Sequence, residues 1–214
     1  MARAAQVDET QALQAALLVF WRLGYEATAV IDLAVKMRLN RTRIYELFGS
    51  KHGLFILALR HYQQELHRQL LAIDADANTP VLMRVQRVLE LTVDIPTVQP
   101  RPNGCFLVKA GSGLLPQDTE VQTVDNESQQ FLESMLVAWM KEGQQTGEVS
   151  RTSSPQAQAQ LLAVLLAGLR VQRQFHPNTK MLRNSIASAL LALARAPSKR
   201  QKGPKVTPVK AVKP

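Results

Sequence analysis

The sequence of 214 residues has one cysteine, few aromatic residues and no apolar run long enough to span a membrane. A lone Cys105 excludes an intramolecular disulfide and points to a reducing compartment. The longest apolar stretches, 161–169 and the serine-interrupted 186–194, fall well short of the ~20 residues a bilayer requires. The opening MARAAQVDET lacks the apolar core of a signal peptide. A soluble cytoplasmic protein with no membrane partner is the expectation. Catalytic signatures are missing too: there is no P-loop, no dinucleotide fingerprint and no nucleophile elbow. The four histidines, His52, His61, His67 and His176, lack metal-ligand spacing, since even His61 and His67 fall on different faces of a helix. The expectation is a protein that is not an enzyme and that carries no metal or cofactor.

What is present is alanine, leucine and helical periodicity. Apolar residues make up 46% of the chain but aromatics only 5%, which fits an all-α protein, and no strand pattern or internal repeat competes with it. The formal net charge of +9 is unevenly distributed. Beyond Pro197 the chain carries Lys199, Arg200, Lys202, Lys205, Lys210 and Lys213 without one acid. The remainder is only mildly basic, and its positive charge gathers at Lys36, Arg38, Arg41, Arg43 and Lys51.

Those cations sit on the stretch around which the rest is organised, Thr28 to Lys51. Val30, Ile31, Leu33, Ala34 and Met37 give one short helix an apolar face, with Thr28 placed as its N-cap. Asn40 then caps a second helix, Arg41 to Phe48, which turns Ile44, Leu47 and Phe48 inward and Arg41, Thr42, Arg43 and Glu46 outward. A helix pair whose second member is cationic and rich in hydrogen-bonding groups suits the major groove of double-stranded DNA. Helix 1 is expected from Glu9 to a C-cap at Gly24, with Leu13, Leu17, Phe20 and Trp21 buried, and helix 4 from a Ser50 cap to about Ile73.

Four pieces of this region resemble the DNA-binding domain of TetR-type transcriptional regulators: FWRLGYEAT (Phe20 to Thr28), DLAVKM (Asp32 to Met37), IYELF (Ile44 to Phe48) and SKHGLF (Ser50 to Phe55). The likeness runs from Ala12 to about Tyr62, about a quarter of the chain. Two positions depart from the family pattern. Arg38 stands where the turn usually has glycine, at a cost of about 1 kcal/mol if φ is positive there. Thr42 replaces a glycine often found in the recognition helix. By motif position Arg41, Thr42, Arg43 and Glu46 are candidates for base edges, an arginine matching guanine and Glu46 matching cytosine. Thr28, Tyr45 and Lys51 are candidates for phosphates, with Arg38 and Asn40 beside them. Capping or plain solvation is the bland alternative for each.

The body shows five more helices, giving about nine in all. They begin at Thr79-Pro80, at Gly104-Cys105, at an Asp118 cap, at Ser154-Pro155 and at Met181, and they end before Pro96, at Pro116, near Gly143, at Phe175 and at Ala196. A loop with Pro96, Pro100 and Pro102 separates the first two. Three units follow: 1–52 as the helix-turn-helix domain, 53–197 as a helical ligand-binding and dimerisation domain, and 198–214 as a basic tail without an amphipathic pattern. That tail either adds salt-dependent attraction to phosphates or is simply solvated.

The stretch LLAVLLAGL is apolar nearly all round, and the helix after it repeats the theme. Pairing both with their copies in a homodimer, as a four-helix bundle, would cover them. Tyr62, Phe131 and Trp139 could line a small-molecule pocket or be ordinary core. Arg170 and Arg173 interrupt an apolar helix, either to meet an anionic ligand or to snorkel at an interface. Cys105 opens a helix with Lys109 one turn on, and both features favour a thiolate. Gly-Cys at this place also resembles part of the TetR family, in which some members sense reactive compounds through cysteine. The function these features imply is a repressor that binds a pseudo-palindromic operator and is released by a small-molecule inducer. Switching through Cys105 is one alternative; a non-specific, architectural DNA-binding role, or a small helical enzyme or scaffold with an incidental helix pair, is another.

Overall fold

The computed structural model describes residues 8–76, 78–93, 104–113, 118–176 and 178–195. Nine helices are found among them: α1 (Glu9–Leu23), α2 (Val30–Met37), α3 (Arg41–Phe48), α4 (Lys51–Asp74), α5 (Val81–Glu90), α6 (Phe106–Gly113), α7 (Thr119–Thr146), α8 (Pro155–Phe175) and α9 (Thr179–Leu193). The only strand-like pairing among the described residues is an isolated bridge, Val149 to Ala194, which fastens the α7–α8 loop to the end of α9. No helix among the described residues is long and apolar enough to cross a membrane. The proline-rich loop, Pro116, Ala196 and the basic tail lie outside them.

Local signals set most helix ends. Asp8, Asn40, Ser50, Asp118, Ser154 and Asn178 each accept a backbone N–H of the first turn they cap. Gly24 ends α1 at φ 84°, where a side chain would be strained. Gly53, in the first turn of α4, is required by space instead, because a Cβ there would collide with the Phe48 carbonyl. The α3–α4 connection is held tight by that approach.

Two helix starts depart from expectation. Thr28 does not cap α2. Its hydroxyl donates back to the Gly24 carbonyl at 2.5 Å, and the cap is Ala29, whose N–H is accepted by Asp32 at 2.9 Å. Helix α5 starts after Pro80 with no side chain of its own over the end, and Thr79 bonds Asp76 instead. Its cap comes from far along the chain: the two Glu148 oxygens accept from Val81 and Leu82 N–H at 2.8 Å each. A carboxylate at a helix N-terminus also meets the positive end of the helix dipole. Helix α7 passes the expected stop at Gly143 and ends at Thr146, with Gly147 left-handed behind it. Helix α9 starts two residues before Met181 and ends at Leu193.

Two apolar clusters form the interior. One joins α1–α4 to α6 and the first turns of α7; the other joins α5, α8, α9 and the rest of α7. Helix α4 runs through both, from Leu54 in the first to Leu70 in the second. Alongside it α7 runs parallel, tied at four levels. His52 meets Asp118 at 2.6 Å, Arg60 meets Glu127 at 3.3 Å, Gln63 reaches the Val124 carbonyl and Ser128, and Asp74 accepts from the Trp139 indole at 2.6 Å.

Removing the remote cap by Glu148→Ala leaves two N–H groups of α5 unmet. The variant should lose roughly 1–2 kcal/mol of stability in urea melts, with the same helical circular dichroism before the transition.

Candidate nucleic-acid interface and effector cavity

Helix α3 is oriented by its inner face. Ile44 and Phe48 are buried in the first cluster, with Leu47 packed beside them. With that side fixed, the helix must turn Arg41, Thr42, Arg43, Tyr45 and Glu46 to the surface, where all five are exposed. Asn40 Oδ1 accepts from Arg43 N at 2.8 Å, so its side chain is engaged as a cap. Arg43 and Glu46 form an ion pair at 3.2 Å, one turn apart and largely in solvent. A pair of this kind contributes little and opens readily for a competing partner.

Around this helix, Arg38 is exposed at the turn with φ 56°, the left-handed conformation that glycine adopts without strain. Lys51 opens α4 with its ammonium 4.4 Å above the Tyr25 ring. Thr28 lies apart from the rest. It is 1% exposed and its hydroxyl is bonded to Gly24, so it does not belong to the exposed cationic face. Ile31, expected in the core face of α2, is exposed, as is Val35.

The second feature is a cavity of about 280 Å³ between α1, α4, α5, α8 and the start of α6, just below the ~300–1,000 Å³ usual for small-molecule sites. Of the residues singled out in the sequence, Tyr62, Cys105, Arg170 and Arg173 line it. Burial pushes the Tyr62 phenol well above its ordinary range, so it stays a neutral donor, and it points at Cys105 Sγ over 3.4 Å.

The other three are occupied elsewhere. Lys109 donates to the Arg22 carbonyl at 2.8 Å. Phe131 stacks on His67 with ring centres 4.0 Å apart. Trp139 is core, bonded to Asp74 and lying under the Arg84 guanidinium. Residues not selected as ligand contacts from the sequence complete the wall, among them Gln14 and Trp21 of α1 and His61 of α4. No cluster of three or more His, Cys, Asp or Glu that could hold a metal exists among the described residues.

Comparison with known proteins separates this arrangement from an arbitrary helix pair. No family model matches the chain. The TetR family transcriptional regulator CifR, a cysteine mutant solved with 26-base-pair double-strand operator DNA, is 28% identical at a TM-score of 0.73, covering 90% of this chain and 99% of that one. The repressor ComR of Escherichia coli (strain K12) is 23% identical over 164 residues, 77% of this chain and 78% of its own. YezE of Bacillus subtilis (strain 168), an uncharacterized HTH-type regulator, is 22% identical over 150 residues, 70% of this chain and 77% of its own. This chain is a DNA-binding transcriptional regulator similar to those of the TetR family. The cationic face of α3 is thereby placed in a DNA-binding regulator whose all-α fold matches the family along nearly its full length.

The Arg38 turn yields a direct check. In this regulator Arg38→Gly should raise stability by about 0.5–1 kcal/mol in chemical denaturation, since only the strain at φ 56° is removed.

Proposed function

We propose that this TetR-like protein is a repressor that binds a pseudo-palindromic operator as a homodimer and leaves it when a small molecule occupies the cavity. The observation that carries the reading is the solvent-facing side of α3. An eight-residue helix, pinned by Ile44 and Phe48, presents Arg41, Thr42, Arg43 and Glu46 with nothing but an exposed ion pair to hold them back. Bidentate arginine contacts to guanine and a Glu46 contact to cytosine supply sequence readout. Tyr45 and Lys51 hold phosphates, with Arg38 and Asn40 at the turn. Thr28 has no part in this set, because its hydroxyl is spent on Gly24. In this scheme residues 1–52 carry the DNA contacts, 53–197 the effector and dimer surfaces, and 198–214 the basic tail. The protein is not an enzyme and works in the cytoplasm, where its DNA is.

The dimer reading is supported by a seam on α8. Leu161, Val164, Gly168, Val171 and Phe175 recur at alternating spacings of three and four, and the four apolar side chains among them are exposed, Val164 at 71%. Leu191 of α9 adds another at 77%. A two-fold axis through a bundle of these helices sets two copies of α3 about one DNA turn, ~34–36 Å, apart or a multiple of that. Effector control needs only that the ligand favour a state in which this separation is wrong. Helix α4 belongs to both apolar clusters and is the direct link.

A thiol switch at Cys105 has less behind it. The sulfur does line the cavity, but it is 5% exposed and faces the Tyr62 hydroxyl, while the Lys109 ammonium is engaged at Arg22.

Footprinting on DNA upstream of the gene tests the reading. Wild type should protect a palindrome. Arg43→Ala should lose about 1–3 kcal/mol on that site and relax one base position, and Lys51→Ala should weaken all duplexes alike with a flatter salt dependence. No change in either variant would remove α3 from the interface. Sedimentation should show a wild-type dimer and a folded, monomeric Val164→Glu with lost operator affinity; a monomeric wild type would overturn the two-fold arrangement.

A further inference from the structure

Arg173 is the anomaly of the cavity. It is 4% exposed, it lies in the wall, and its Nε has no hydrogen-bond partner. Among the described residues its guanidinium has neither an ion pair nor a hydrogen bond. Buried charges are ordinarily paired, because an unpaired ion in a poor solvent is costly. The other buried arginine among the described residues obeys that rule for its charge: Arg84 meets Asp74 and Glu142 and stacks on Trp139.

The acids near the cavity do not neutralise Arg173. Glu65 lines the wall, yet its carboxylate accepts from the Arg68 fork and from Gln69, and these bonds hold it down to about 2. Asp125 is in electrostatic range of Arg170, one turn away on α8, while burial pushes its carboxyl up. A second orphan donor, the Trp21 indole Nε1, stands in the same wall.

We propose that the cavity is built for an amphipathic organic anion: a monocarboxylate with an aromatic or branched apolar body. This deepens the effector reading above and rests on it. The planar, forked guanidinium of Arg173 matches a carboxylate in two-point fashion, and Arg170 adds charge from one turn earlier. The Trp21 N–H is available to a remaining oxygen. Leu17, Leu66 and Val88 supply the apolar surface for the body of the ligand. Inorganic phosphate or sulfate would satisfy the arginines but leave that surface wet, which argues for an organic acid. Because Trp21 is also a core residue of α1, the anion touches the DNA-binding unit directly.

Calorimetry with naphthoate, its neutral isostere naphthamide and inorganic phosphate tests the assignment on the full chain. Naphthoate should bind about tenfold to a hundredfold more tightly than naphthamide, the effect of one charge-assisted hydrogen-bond pair, and phosphate more weakly than naphthoate. Arg173→Gln should erase the acid preference while leaving naphthamide affinity as it was, and Arg170→Gln should reduce it. The acid–amide comparison on unaltered protein stands even if Arg173→Gln does not fold. Equal affinity for acid and amide, tighter phosphate than naphthoate, or binding of no probe by a protein that still protects its operator would each overturn the proposal. Acid-selective binding that leaves operator affinity unchanged would uphold the anion site and refute the effector reading alone.

Discussion

Six aromatic rings meet where α1, α4 and α6 cross, and the rest of the molecule is arranged about that junction. Phe20 lies edge-on to Phe55 at 5.1 Å, Tyr25 to the same ring at 5.0 Å, and Phe55 to Phe106 at 5.7 Å. Trp21 packs against Tyr62 at 5.1 Å, and Tyr62 against Phe106 at 5.8 Å. Each such pair contributes roughly 0.5–1.5 kcal/mol beyond the area it buries. Consecutive residues of α1 thus serve different neighbours: Phe20 holds the helix-turn-helix together, and Trp21 forms part of the cavity wall. The DNA-reading end and the cavity therefore share side chains. Under the proposed function, effector coupling needs no long relay, only a two-state packing of this junction that both ligands bias differently.

Much of this was legible because helix ends announce themselves locally. Asn40, Ser50, Asp118 and Ser154 act over three residues, and the bounds of α3 and α8 follow from such signals. What was hidden depends on residues far apart in the chain. The cap of α5 comes from Glu148, 66 and 67 positions away from the N–H groups it serves. Thr28 has the right chemistry for a cap, but a tighter local bond to Gly24 wins its hydroxyl. The aromatic residues of the body divided by the partners available to them. Tyr62 found a cavity, whereas Trp139 found a carboxylate and a guanidinium that made it structural. Nothing in the spacing of the sequence distinguishes these outcomes.

The two buried arginines mark the difference between architecture and site. Among the described residues, Arg84 of α5 and Arg173 of α8 are equally shielded from water. One meets two carboxylates and an indole, and losing both acids would leave its charge stranded. The other already stands alone. Each leaves its Nε without a partner, so the contrast lies in the charge, which is paired at Arg84 and unpaired at Arg173. The contrast reads as space kept for something that arrives from outside.

The parallel ties between α4 and α7 have a mechanical consequence. Residue offsets of 66, 67, 65 and 65 between the partners mean that the two rods keep one register from His52–Asp118 to Asp74–Trp139. Rods fastened at several stations behave as a single beam, which resists bending far more than either rod would. Such a beam tilts or slides as a whole instead of curving, so a small displacement at one end arrives at the other undiminished.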